Sequence, residues 1–236
     1  MTVGRSIVGR ATAELVGTLV LSCVVVGSGI AASRLSPHDT GLQLLENAAS
    51  TALGLFVLIV ALGPISGAHL NPLVTLVDAV FGRRPWRGVA PYLIAQFVGA
   101  IAGAILANLM FGLPAMSIST RDRLTPGTAL AEVVATAGLI AVIFLLTQTS
   151  RSSWVAAAAA AWIGSAYFFT SSTSFANPAL TVGRMFSDTF AGIAPGSAPG
   201  FIAAQFVGAA IGLTLVVAMT HRPGRASSTG STTPDV

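Results

Sequence analysis

The chain has 236 residues, 53% hydrophobic and only 8% charged, with a formal net charge of +4. A soluble domain carries about 25% charged residues, so the composition excludes an ordinary soluble domain and points to one embedded in lipid. The 12 basic residues are all arginine and lie between apolar runs, where they set topology; no nucleic-acid partner is expected.

In chain order, uncharged stretches cover residues 15–33, 47–77, 88–120, 133–150, 152–183 and 189–220. A span needs roughly 20 apolar residues, so six spanning helices fit. Arg5 and Arg10 before an apolar run resemble the start of a secretion signal. That run contains Glu14 and leads into further membrane segments, which predicts a retained first helix. The runs 47–77 and 152–183 each exceed one span and must hold a second piece that dips back into the bilayer. The Ser-, Thr-, Gly- and Pro-rich tail, residues 221–236, is predicted to be disordered.

Three landmarks recur in order. Ala13-Glu14, Asn71-Pro72 and Ala95-Gln96-Phe97-Val98-Gly99 return as Ala131-Glu132, Asn177-Pro178 and Ala204-Gln205-Phe206-Val207-Gly208. Two halves of three spans each place the second copy upside down relative to the first, an inverted repeat. Arg5, Arg10, Arg83, Arg84, Arg87, Arg151, Arg222 and Arg225 fall on one side, and Arg34, Arg121, Arg123 and Arg184 on the other. The excess predicts a multi-pass protein of the cell membrane with both termini in the cytoplasm.

Asn is a preferred helix N-cap and Pro suits the first helical position, so each Asn-Pro reads as a helix start. Residues 72–81 and 178–186 allow helices of about 13 to 15 Å, half of the hydrocarbon core. Inverted symmetry brings their positive ends face to face near the midplane. With its oxygen used as a cap, each Asn side chain is expected to keep its NH₂ free for a passing solute, which favours neutral oxygen-bearing molecules over cations.

The duplicated motif, the Ala-Glu signatures and the lead-in Ser66-Gly67-Ala68-His69-Leu70 resemble the aquaporin, or major intrinsic protein, family, whose hallmark is a paired Asn-Pro-Ala. The resemblance covers about residues 13–220. It implies an all-α membrane protein: six transmembrane helices plus two re-entrant half-helices in an inverted 3+3 repeat. One domain would span 1–220, with repeats at about 8–112 and 126–220. It further implies a passive channel for small uncharged solutes, a homotetramer with one pore per subunit, and no cofactor or metal. The motif residues are Asn71, Pro72, Leu73 and Asn177, Pro178, Ala179. Leu73 departs from the pattern, and its bulk is expected to narrow the centre or shift packing there.

The family's narrowest point is formed at fixed distances from the two asparagines. Carried over, these positions are Thr51, Ser165, Ser174 and Leu180, where water-selective relatives typically hold Phe, His, a small residue and Arg. The exchange predicts a wider filter lacking a fixed cation. This set, with the stretch Ser187 to Pro195, is similar to bacterial aquaporin-like proteins associated with arsenic resistance. Arsenous acid, uncharged at neutral pH, therefore joins glycerol-like solutes and water as a candidate. Arg184 either replaces the missing arginine at the mouth or pairs with Asp188 at i+4, the favoured reading. His69 either faces the cytoplasmic end of the pore or bonds within its loop. Glu14 and Glu132 read as anchors for the re-entrant loops rather than proton carriers. Phe56, Trp154 and Trp162 read as lipid-facing or interface side chains.

Inverted repeats also build ion- or proton-coupled carriers, the alternative reading, but no titratable group falls between the two asparagines except the distant glutamates. Three scattered histidines and one cysteine supply neither a metal cluster nor a nucleophile with its base, so no enzyme is expected. A purely structural, junction-forming role would leave the chain passing no solute.

Overall fold

The computed structural model describes residues 6–221, and nearly all of the tail beyond Thr220 lies outside them. Eight α-helices are present among the described residues: α1 (Ile7–Leu35), α2 (Thr40–Ser66), α3 (Pro72–Val80), α4 (Val89–Met110), α5 (Pro126–Gln148), α6 (Val155–Phe169), α7 (Pro178–Gly183) and α8 (Ala198–Thr220). Five of them, α1, α2, α4 with its leading turn, α5 and α8, are long and apolar enough to cross a membrane. At 15 residues α6 is shorter, but the 3₁₀ turn Ser152–Trp154 leads directly into it. Together they reach about 28 Å, close to the thickness of the hydrocarbon core, and make the sixth crossing.

Local sequence explains the ends. Asp39 caps α2 by accepting from Leu42 N–H, and Thr125 and Thr128 form a reciprocal capping box at α5. Gly67 ends α2 at φ 97°, a left-handed conformation that glycine adopts without a Cβ penalty. The second half-helix is shorter than its sequence allowed: α7 gives way to a 3₁₀ turn over Arg184–Phe186.

Glycines set the closest packing, in the same way in each half. Cβ atoms at Gly99 and Gly103 would land on the Leu15 and Leu19 carbonyls of α1, and at Gly208 and Gly212 on the Val133 and Ala137 carbonyls of α5. Small residues allow this backbone approach, which in lipid replaces the hydrophobic drive that packs soluble helices. Gly183 sets α7 against the Ala100 carbonyl of α4 in the same manner. Trp162 departs from its expected lipid-facing or interface place and packs on α5. Its Nε1 donates to the Ala135 carbonyl at 2.9 Å, and its ring fills the notch left by Gly138. Phe56 and Trp154 are exposed on the apolar surface.

Ile7 at the start of α1 approaches Gly88, and the end of α8 lies on the same side after six crossings. This side is the terminal face. Gly103→Ala is expected to destabilise the fold by about 2 kcal/mol by forcing α1 and α4 apart, whereas Gly196→Ala, with open space at its Cβ, is neutral. Thermal unfolding in detergent checks the difference.

Candidate functional site

Asn71 and Asn177 cap the two half-helices. The Asn71 side-chain oxygen accepts from Leu73 N–H at 2.9 Å, and that of Asn177 from Ala179 and Leu180 N–H at 3.0 and 3.3 Å. Each amide nitrogen also reaches across the centre: Asn71 Nδ2 donates to the Ala176 carbonyl and Asn177 Nδ2 to the Leu70 carbonyl, both at 2.8 Å. The expectation of wholly free NH₂ groups is corrected. One N–H of each is used on the opposite loop, and one is left.

The loops leading into these caps are strained. Ala68, Leu70, Ser174 and Ala176 have φ of 47°, 50°, 51° and 46°, which side chains other than glycine rarely adopt. Two fully buried carboxylates hold them. Glu14 accepts from Ser66 Oγ at 2.6 Å, His69 N–H at 3.0 Å, Leu70 N–H at 2.7 Å and Gln96 Nε2 at 2.8 Å. Glu132 accepts from the Phe175 and Ala176 N–H groups, both at 2.9 Å, and from Gln205 Nε2 at 2.6 Å. Neither carboxylate lines the central cavity; the hydrogen bonds of both go to the loops and to the neighbouring Gln96 and Gln205.

A cavity of about 860 Å³ runs past the two asparagines, lined near the terminal face by Asp78, Arg83 and Thr147 and at its far end by Thr51, Tyr167 and Arg184. Residues 67–69, 174 and 175 border it, and their carbonyls accept no hydrogen bond among the described residues. Ser174 and Leu180 line it as well, and the buried Ser174 hydroxyl has no partner. His69 combines both of its expected roles. It lines the cavity while its Nδ1 meets Thr75 Oγ1 at 3.0 Å and its Nε2 lies 3.4 Å from Asp78.

Three expectations are corrected. Ser165 does not line the cavity; it is exposed and its hydroxyl donates to the Trp162 carbonyl at 2.9 Å. Ile163 and Tyr167 face the cavity instead, and the Tyr167 hydroxyl bonds Thr51 Oγ1 at 3.1 Å. Counting back from Asn177 slipped by two positions, which turns a helix by roughly 200° onto its other face. The one-turn spacing of Ala159, Ile163 and Tyr167 was the sequence signal for that face. Leu73 lies off the cavity, packed with Val77, Ile140 and Phe144 towards α5, so its bulk does not narrow the centre. Ala179 makes the matching contact with Leu21, Val25 and Ala100 of the first half.

Arg184 is not paired with Asp188. Its guanidinium stacks 3.3 Å over the Phe175 ring and its Nε donates to the Ala191 carbonyl, leaving the terminal nitrogens at the end of the cavity. Asp188 accepts from Thr120 N–H at 2.9 Å and from the Thr120 hydroxyl, and these bonds hold its carboxyl below the ordinary range. In the same loop region, burial lowers the Arg123 guanidinium to about 10, still charged at neutral pH.

Tyr167→Trp is expected to cut solute flux about tenfold by filling the far end of the cavity, and Ser165→Trp to leave flux within about twofold. Stopped-flow flux through reconstituted vesicles separates the two.

The profile of the major intrinsic protein family matches residues 3–175. Aquaglyceroporin AqpS of Rhizobium meliloti is 47% identical over 209 residues, covering 88% of each chain. A glycerol uptake facilitator protein-like 5 of Lactiplantibacillus plantarum is 41% identical over 110 residues, 43% of each chain. The X-ray structure of the aquaglyceroporin from Plasmodium falciparum superposes with a TM-score of 0.68 at 20% identity, covering 89% of this chain and 94% of that one, a likeness of fold. An integral membrane protein with this architecture and these relatives belongs to the major intrinsic protein, or aquaporin, family.

Proposed function

We propose that the central cavity is a passive conduit for small uncharged solutes: water, glycerol-sized polyols, and metalloid hydroxides such as arsenous acid. The observation that carries this reading is the cavity's centre, where two half-helix N-termini meet and each asparagine retains one N–H. A hydroxyl oxygen accepts from those donors in single file, while unclaimed carbonyls on either side accept the solute's own hydroxyl protons. The facing positive dipole ends repel cations, and so does the Arg184 guanidinium. Ser174, Thr51 and Tyr167 offer hydroxyls at the far end, which suits a polyol better than an apolar molecule. The name of the Rhizobium relative is consistent with glycerol as a solute.

On this reading the terminal face is cytoplasmic, as the arginine excess requires, and the subunits associate as a homotetramer in the plasma membrane. Arg184 is the filter's cation, carried one helical turn beyond Leu180. It narrows the predicted difference from water-selective relatives to the size of the opening.

Purified protein in liposomes is challenged with sucrose, then with glycerol or arsenous acid, and light scattering follows shrinkage and re-swelling. Re-swelling well above that of empty vesicles is expected for both solutes, without collapse of a proton gradient read by an internal dye. Arg184→Leu is expected to raise glycerol flux by about threefold and to admit protons. Water flow without glycerol entry would reduce the reading to a water channel. Solute accumulation driven by an ion gradient would replace it with a coupled carrier.

A further inference from the structure

Beyond the far end of the conduit lies a second cavity of about 380 Å³, and Arg184 borders both. Arg121 and Arg123 also line it, together with Thr40, Asn47 and Thr173. Three guanidiniums around one small space are far more positive charge than a path for neutral solutes needs. No acid forms an ion pair with them: among the described residues every ion pair involves Asp78, near the terminal face. Glu132, within electrostatic reach of Arg123 and Arg184, lies off the cavity with its oxygens turned to Phe175, Ala176 and Gln205.

The acids nearest this side are turned elsewhere. Asp39 accepts from Leu42 N–H at 2.9 Å, Glu46 from Ser36 Oγ at 2.8 Å, and Asp122 from the Ser197 hydroxyl. Asp188, within electrostatic reach of Arg121, is held by Thr120. None of the four lines the cavity.

The arginines keep donors in reserve. Arg123 is fixed by Nε to the Gly192 carbonyl at 2.6 Å and by one terminal nitrogen to the Phe190 carbonyl at 2.7 Å, so its other terminal nitrogen is unused among the described residues. The terminal nitrogens of Arg184 and the whole guanidinium of Arg121 donate to nothing among the described residues. Thr40 and Gly41, the first turn of α2, line the same space, but the Asp39 cap already offsets the positive end of that helix, so the guanidiniums supply the charge. Planar guanidinium forks have a preferred ligand, the tetrahedral oxyanion.

We propose that this cavity binds a dissolved multivalent oxyanion of the sulfate or phosphate type, and that an anion held there obstructs the mouth of the conduit. The obstruction rests on the channel reading above; the binding does not.

The test measures the two separately. Sulfate binding to the purified protein in neutral detergent is followed by calorimetry, with sodium chloride keeping ionic strength constant. Glycerol flux is followed in phosphatidylcholine vesicles with and without sulfate on both sides, each variant against its own sulfate-free rate. Saturable sulfate binding is expected, with flux falling over the same concentrations. Arg121→Gln should weaken both effects about tenfold, and Arg151→Gln, near the terminal face, should leave both unchanged. Because Arg123 also ties down the Phe190 and Gly192 carbonyls, Arg121→Gln decides the matter. No saturable binding, or binding undiminished in Arg121→Gln, overturns the site. Binding without loss of flux overturns the obstruction. Sulfate binding by a protein that passes no glycerol faults the channel reading and leaves the site standing.

Discussion

Two reciprocal hydrogen bonds, from Asn71 to the Ala176 carbonyl and from Asn177 to the Leu70 carbonyl, hold the molecule together at its centre. They join half-helices from opposite halves of the chain tip to tip, where two positive dipole ends would otherwise repel. Each asparagine serves as cap and clamp at once, and in the proposed function as solute donor too, a combination that needs one acceptor oxygen and two N–H groups on a short side chain. Aspartate would supply no donor, and a longer amide would not reach its own helix's first turn from the cap position. The identity of both residues is fixed by this geometry before any solute is considered.

The clamp works only if the carbonyls of Leu70 and Ala176 are presented correctly, and both residues sit in the left-handed region. Such a backbone costs about 1 to 2 kcal/mol per residue and persists only when its surroundings over-determine it. Glu14 and Glu132 supply that determination by collecting the loop N–H groups inside the membrane. A carboxylate placed there is expensive unless its acceptor sites are filled, and the Gln96 and Gln205 amides add to the filling. Anchor, strained loop and cap thus form one mechanical unit, made twice.

Much of this was legible in the sequence because membranes restrict it. Length of apolar run, Asn-Pro as a helix start, and the duplication of both leave few alternatives to a helical inverted repeat. Glu14 and Glu132 stood out because buried acids are rare in spanning segments. The lining of the far end was less legible. Ser165 was reached by counting across a loop whose length is free to vary, and two residues exchange one helix face for the other, hiding Tyr167. Leu73 looked like a pore residue because its motif is central, yet on so short a helix its side chain points into the neighbouring core. The placing of Arg184 was missed because an i+4 acid was in reach, while the competing partners, the Phe175 ring and the Ala191 carbonyl, become neighbours only through tertiary folding.

The anchors also bear on the order in which the molecule is made. Glu14 meets His69 and Leu70 at separations of 55 and 56 residues, and Glu132 meets Phe175 and Ala176 at 43 and 44, all within one half. The asparagine clamps close over 105 and 107 residues, between halves. The carboxylate of Glu14 can therefore be satisfied while the second half is still being synthesised, so the first half enters the bilayer without a stranded charge. Assembly then ends with the docking of two nearly finished pieces, and the conduit comes into existence only at that last step.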